Sequence, residues 1–393
     1  MMKIAFFVQH MIIGGVEKNL LRLCNALLLK GHDISIYAIK AYGELIEQIP
    51  ENVKFYEIPM ESSARKVIPV GGIKIATKRL MSCHKYGQAM GMILRYLNNK
   101  TGFTELCYDL NKIPKLSEKY DIAVNYHIHS PFLVWYLSER IISIKKYTWI
   151  HNDFNTTRYD IRKLDRYLIC MDYFFAVAEN LRNEFIEIFP NYVDKTQVAL
   201  NLIPYPEILK KGDEYLPKEY AVLSQECIKI LTVGRLEEQK GYDIVVDVAE
   251  KLKEKGIVFN WCIIGEGTER KRIEKDIERK GLSNYIQLLG VKSNPYPYFK
   301  CCDIYVQTSR HEGYATTVSE AKVFCKPIIT TDVSGAKEQI RTGENGFITS
   351  FDAFEIAEYV NGLCADRMLR EKFSETIKNE SNKSDDLWLS YFE

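Results

Sequence analysis

The segment Ser309-Arg-His-Glu-Gly-Tyr-Ala-Thr-Thr-Val-Ser-Glu-Ala321 carries two carboxylates, Glu312 and Glu320, eight residues apart. Ala315 to Cys325 reads as a helix, which puts Glu312 in the loop ahead of it and Glu320 about one and a half turns in. The backbone amides of Gly313, Tyr314, Ala315 and Thr316 are then open donors at a helix N-terminus, backed by the helix dipole, and suit an anion. Glu320 has the geometry to accept both hydroxyls of a ribose, and Glu312 those of a hexose. A solvated helix acid and a capping acid are the plain alternatives. A second constellation, Val233-Gly-Arg-Leu-Glu-Glu-Gln-Lys-Gly241, brackets a loop with Arg235 and Lys240 just before a helix opening at about Tyr242. Two cations on a glycine-bounded loop fit a diphosphate, the guanidinium bidentately; two unrelated surface cations are the alternative. Gly265-Glu-Gly267 lacks the third glycine of a dinucleotide fingerprint and reads more simply as a tight turn.

These residues need elements to hold them. Short β-branched or aromatic runs alternate with amphipathic stretches along the chain, the pattern of βα units and parallel sheets. The expected strands are Ile4–Val8, Ile34–Ile39, Lys54–Ile58, Ile122–Tyr126, Tyr147–Ile150, Phe174–Val177 and Gln197–Leu200, then Ile228–Val233, Phe259–Ile264, Ile286–Leu288, Ile304–Gln307 and Pro327–Thr330. Ligands of such sheets bind beyond the carboxyl ends of strands. The unusual residues collect there: Gly14-Gly15, His151-Asn-Asp153, Gly234-Arg235, Gly265-Glu-Gly267 and His311-Glu-Gly313 each follow a strand. A histidine satisfied by strand-end hydrogen bonds is the plain alternative for His151. Pro204 to Pro217, charged and aperiodic, reads as a linker. The tail from Met368 reads as a helix whose Leu387, Trp388, Tyr391 and Phe392 need an apolar partner.

A chain of 393 residues fits two domains. Lys plus Arg is 53 against 52 for Asp plus Glu, so the global charge says nothing about partners; no nucleic acid is expected among them. The start lacks a signal-peptide pattern and no apolar run approaches the ~20 residues of a membrane span. Ten scattered cysteines without a C-x-x-C suggest neither zinc nor disulfides but small core hydrophobes, as at Cys24, Cys170, Cys262 and Cys325. Ser62 to Lys100 breaks the balance. It holds eight basic residues, Arg65, Lys66, Lys74, Lys78, Arg79, Lys85, Arg95 and Lys100, and no acidic one. Apolar residues, Met81, Met90 and Met92 among them, are interleaved, as in segments that lie on anionic bilayers; a solvated basic face is the alternative.

Taken together, Val233-Gly-Arg235, Lys240-Gly, Gly265-x-Gly267, Glu312-Gly-Tyr, Ser319-Glu320-Ala, Lys326-Pro, Thr331-Asp and Gly343-x2-Gly346 resemble the donor domain of retaining GT-B glycosyltransferases of family 4 (glycosyl transferases group 1). Gly14-Gly15-Val-Glu17 and Trp149-Ile-His151-Asn-Asp153 are similar to features of that family's first domain. The resemblance implies an α/β fold of two Rossmann-like parallel-sheet domains facing across a cleft. Residues 1–205 form the acceptor side, 206–370 bind the donor nucleotide, and 371–393 make a helix that returns to the first domain, the linker and tail serving as a hinge for closure.

By the same resemblance, Arg235 and Lys240 hold the diphosphate and Glu320 the ribose. Glu312, with Gly313, Tyr314, Ala315 and Thr316, holds sugar and phosphate; Gly14, Gly15 and Gly265 complete the donor site. His151 and Glu312 are the catalytic candidates. The implied reaction moves a hexose from a nucleoside diphosphate sugar, UDP-sugar favoured, with retention and with neither metal nor cofactor. The acceptor is a glycan, lipid-linked, in cell-surface polysaccharide synthesis. Arg65, Lys66, Lys74, Lys78, Arg79 and Lys85 would meet an anionic membrane or the acceptor, making a cytoplasmic enzyme peripheral at the inner face of the cell membrane. A non-catalytic sugar-nucleotide-binding subunit and a sugar-nucleotide epimerase of the same fold are the competing readings. An NAD-dependent oxidoreductase lacks its glycine fingerprint.

Overall fold

The computed structural model describes residues 1–68, 73–99, 103, 105–154, 160–380 and 386–393. Val70 and Lys100 of the acid-free stretch lie outside them. The chain forms two compact units, Met1–Leu202 with Asp386–Glu393, and Ile203–Asp385.

The first unit is built on β1 (Lys3–Val8), β2 (Asp33–Ala38), β3 (Val53–Glu57), β4 (Lys119–Asn125), β5 (Ile142–Ile150), β6 (Tyr173–Ala176) and β7 (Thr196–Val198). They form one sheet in the order β3-β2-β1-β4-β5-β6-β7 with every pair parallel. Register places the strand ends level, Phe7 beside Asn125 and Ile150 beside Ala176. β5 is longer than the expected Tyr147–Ile150 because Ile142, Ser143, Lys145 and Lys146 also pair with β4. The helix Gly15–Leu29 buries Leu20, Leu23, Cys24 and Leu27.

The second unit holds β8 (Ile228–Val233), β9 (Phe259–Ile264), β10 (Ile286–Leu288), β11 (Ile304–Gln307), β12 (Ile328–Thr331) and β13 (Gly346–Thr349), ordered β10-β9-β8-β11-β12-β13 and again all parallel. Both faces of this sheet are covered, which is why β9 is buried at every residue. Alternate side chains serve opposite cores: Trp261 and Ile263 pack with Val245, Leu252 and Phe373, whereas Cys262 and Ile264 pack with Leu231, Tyr305 and Val318. β13 has no counterpart in the sequence reading. Gly-Phe-Ile-Thr is too short to show a period, and Gly346 is there because a Cβ would stand 2.4 Å from the Ile328 carbonyl oxygen.

Two expectations about organisation are corrected. Pro204 to Pro217 is not a bare linker: Tyr205–Gly212 is a helix of the second unit. Pro206 lies in its first turn, where the fixed φ suits a helix start, Ile208 is buried, and Gly212 lies against Phe324. The tail is not one returning helix either. Arg367–Glu380 is helical but buries Phe373 and Ile377 in the second unit, and the return is confined to Asp386–Glu393. There Trp388 lies 5.6 Å from Trp149, Phe392 5.5 Å from Tyr147 and Tyr391 4.6 Å from Tyr173, ring centre to ring centre. The Tyr147 hydroxyl donates to the Tyr391 carbonyl at 2.8 Å. Cys24 and Cys262 are core residues as expected, but Cys170 is exposed and Cys325 half-buried.

Candidate active site

In the second unit the ends of β8, β9 and β11 converge, and glycines let them. Gly265 has φ +151°, and a Cβ on it would lie 1.9 Å from the Gly234 carbonyl oxygen; Gly241 has φ +65°, and a Cβ there would lie 2.2 Å from the Thr308 carbonyl oxygen. Gly265 is thus first a close-packing residue under the Gly234-Arg235 loop.

The resulting contacts join loops about seventy residues apart in sequence. Lys240 Nζ is paired with Glu312 Oε1, both side chains largely buried. The same carboxylate oxygen accepts from Ser309 Oγ at 2.9 Å and Gln307 Nε2 at 3.2 Å. Gln307 is oriented in turn by hydroxyl donors on its carbonyl, Thr317 at 2.7 Å and Tyr305 at 3.2 Å. Arg310 grips Asp243 bidentately at 2.9 and 2.6 Å and donates to the Glu238 carbonyl, fixing the loop that carries Lys240. Arg235 is more exposed, 3.3 Å from Glu237.

The helix predicted from Ala315 to Cys325 spans Thr316–Val323, with Ala315 as N-cap. Glu320, expected on a helix surface or a ribose, is only 3% exposed and accepts from the Tyr296 hydroxyl at 3.2 Å. Of the four amides expected to be open, Ala315's is not: it donates to Gln339 Oε1 at 3.1 Å. Those of Gly313, Tyr314 and Thr316 make no hydrogen bond among the described residues.

In the first unit His151 follows β5, 6% exposed, with one ring nitrogen on the Tyr126 carbonyl and Nε2 without a partner among the described residues. Burial, then His127 and His129, hold its pKa well below that of a free imidazole, so the ring is neutral with a free lone pair on Nε2. The His127 ring lies 6.0 Å away, its pKa pushed down to about 3 by burial and by His10 and His129. Glu17 Oε1 stands 3.7 Å from His10 Nδ1 and 3.9 Å from His127 Nε2. Gly14 is the N-cap of the helix beginning at Gly15, and a Cβ there would meet Glu17 Oε2 at 2.4 Å. The Glu17 carboxylate therefore lies close to this helix start, where Gly14 and Gly15 are expected to approach the donor.

Sequence reading missed His10, His127 and His129. The signal was His127-x-His129 just past β4, the strand-end rule that found His151. It also missed Gln307, Ser309 and Thr317, which brace Glu312 from within the same segment, and Tyr296 and Gln339, whose partners lie 24 residues away.

The basic stretch divides. Arg65 pairs with Glu57 at 2.7 Å and Lys85 faces Glu61 at 3.9 Å, acids just outside the acid-free window, so the full charge is not presented. Lys66, Lys74, Lys78 and Arg79 are exposed. The helix Tyr86–Asn99 exposes Tyr86, Met90, Leu94 and Leu97, one apolar stripe at spacings of four, four and three. No helix among the described residues is long and apolar enough to cross a membrane.

Residues 221–380, which lie within the second unit, match the family described as Glycosyl transferases group 1. More particularly, the chain is 26% identical over 371 residues to an uncharacterized glycosyltransferase of Haemophilus influenzae, covering 92% of this chain and 90% of that one. It is 26% identical over 212 residues to the capsular polysaccharide biosynthesis glycosyltransferase CapM of Staphylococcus aureus, 52% and 55% of the two chains. It spans about two-fifths of the length of the first curated relatives that it matches. Among solved structures, Anabaena Alr3699/HepE in complex with UDP and glucose aligns with a TM-score of 0.71 at 17% identity, over 100% of this chain and 98% of that one. The shared fold is GT-B.

Proposed function

We propose that the chain is a retaining glycosyltransferase that moves a hexose from a nucleoside diphosphate sugar, UDP-sugar favoured, to a hydroxyl of a lipid-linked glycan in cell-surface polysaccharide synthesis. The observation that carries the reading is the junction of Lys240 and Glu312 beside the open amides of Gly313, Tyr314 and Thr316. A cation and helix-end donors suit a leaving diphosphate, and the carboxylate beside them suits sugar hydroxyls. Relatives named for capsule and amylovoran biosynthesis and a neighbour holding UDP and glucose support the substrate class.

In the proposed reaction the bond between the sugar's anomeric carbon and the diphosphate oxygen breaks, its electrons leaving with the diphosphate. The acceptor oxygen bonds to the same face and its proton passes to a diphosphate oxygen. Arg235, Lys240 and the helix-end amides stabilise the charge, with no metal in the scheme. His151, neutral with a free Nε2, is proposed to accept a hydrogen bond from the transferred sugar. The exposed Lys74, Lys78 and Arg79, with the Tyr86–Leu97 stripe, are proposed to seat the enzyme on the anionic inner face of the cell membrane. A hydrolysis screen across UDP- and GDP-sugars tests the reading: slow release of one sugar, unchanged by EDTA, supports it, and no turnover of any donor rejects it.

A further inference from the structure

Ala315 occupies the N-cap of the helix Thr316–Val323 yet has no side chain with which to cap it. A Ser, Thr or Asp there would turn an oxygen onto the first helix amides and fix the entry of the chain, spending the donors that an anion needs. Ala leaves them unspent but also leaves the N-cap peptide without its usual local anchor.

That anchor comes from 24 residues away. The Gln339 side chain, 4% exposed, accepts from the Ala315 amide at 3.1 Å and donates to the Ala315 carbonyl at 2.9 Å. Its amide is thus paired with both sides of one residue, and Nε2 also reaches Ser319 Oγ at 2.9 Å. The orientation is fixed by chemistry, since only the carbonyl accepts and only the NH2 donates. Gln339 is itself held, its backbone carbonyl accepting from Lys322 Nζ at 2.9 Å. At the other end of the same segment Gly335 lies so close that a Cβ would stand 2.3 Å from the Gly313 carbonyl oxygen and 3.0 Å from Tyr314 Cα.

We propose that Gly335–Gln339 is a cradle for the loop Gly313–Ala315, with Gln339 the positioning residue that aims the Gly313, Tyr314 and Thr316 amides at the donor's phosphates. The inference rests on the donor-binding reading above and adds to it a device for keeping an uncapped helix end both open and rigid. Ribose recognition through Glu320 depends on the helix body, which Val318, Ala321 and Val323 bury independently. Losing the cradle therefore separates phosphate from nucleoside binding.

The test is calorimetry with UDP and uridine, and GDP and guanosine beside them, on the wild type, Gln339→Met and Gln339→Glu. Gln339→Met keeps the volume and removes both bonds. It should raise the diphosphate's Kd about tenfold while moving the nucleoside's less than about twofold. Gln339→Glu keeps the bond from the Ala315 amide and loses the other, so it should fall between, which preserves the test if Gln339→Met does not fold. Wild type binding UDP or GDP with both variants within about twofold of it overturns the cradle and leaves the donor reading standing. Equal losses for diphosphate and nucleoside overturn it as well. A wild type that binds no nucleoside diphosphate overturns the donor reading itself, and the cradle with it.

Discussion

Lys240 and Glu312 are paired, cation to carboxylate, across a junction of two loops, and Glu312 Oε1 is further held by Ser309 and Gln307. The two residues read separately as a phosphate ligand and a sugar ligand are one unit. Lys240→Ala should weaken UDP by about 2–3 kcal/mol and UMP clearly less, because the cation answers the second phosphate. Combined with Glu312→Ala the effects should not add, with a coupling of about 1 kcal/mol or more in a calorimetric double-mutant cycle. Equal losses for UDP and UMP would remove Lys240 from the diphosphate site.

His151 lies buried with an unpartnered Nε2 among the described residues, a position that costs stability unless a ligand uses it. His151→Ala should leave the unfolding midpoint and UDP affinity close to wild type and lower turnover by about 100-fold. Steady-state kinetics showing near-normal turnover would return His151 to a structural role.

The histidines also make a pH prediction with a definite sign. His127 has its folded pKa pushed down to about 3, so between that value and its unfolded pKa of about 6.5 the unfolded chain binds the proton and the folded one does not. Its contribution is complete above pH ~6.5 and is lost as pH falls, by up to about 1.4 kcal/mol per unit. Glu105, pushed up to about 7 by burial, acts in the opposite sense over part of this range. The difference between wild type and His127→Asn isolates the histidine: chemical denaturation at pH 7 and pH 5 should show wild type losing stability relative to the variant. A pH-independent difference would mean that His127 titrates in the fold as it does in the unfolded chain.

Much of this was legible because parallel sheets put chemistry at strand ends, and Arg235, Lys240, Glu312 and His151 each follow a strand within a few residues. The strands β8 to β11 were plain because they are short runs dominated by β-branched and aromatic residues between turns. What was not legible depends on pairings between distant positions. Nothing near Gln339 announces Ala315, nothing near Arg310 announces Asp243, and Glu57 lies just outside the window that made Ser62–Lys100 look uniformly basic. Gly346–Thr349 and the helix Tyr205–Gly212 failed for the complementary reason, being too short or too charged for periodicity to register before tertiary burial decides them.

The basic stretch gives the fourth prediction. Liposome flotation should recover the protein with anionic vesicles, less as salt rises, and less again when Lys74, Lys78 and Arg79 become Ser, at about 1 kcal/mol per charge removed. Met90→Ser with Leu94→Ser should reduce recovery further by taking apolar surface from the exposed stripe. Equal recovery with neutral and anionic vesicles, or none with either, would mean that this face does not read membrane charge.

The central claim is that the second unit grips a nucleoside diphosphate sugar, and Glu320 tests it most directly, since a carboxylate buried beneath Tyr296 has a bidentate ribose contact as its proposed task. The measurement is isothermal titration of UDP, GDP and NAD into wild type and Glu320→Ala. The account predicts that wild type binds UDP or GDP and not NAD, and that Glu320→Ala loses about 2–3 kcal/mol for the bound nucleotide with the fold intact. Binding of NAD alone, or nucleoside diphosphate binding unchanged by Glu320→Ala, would contradict it.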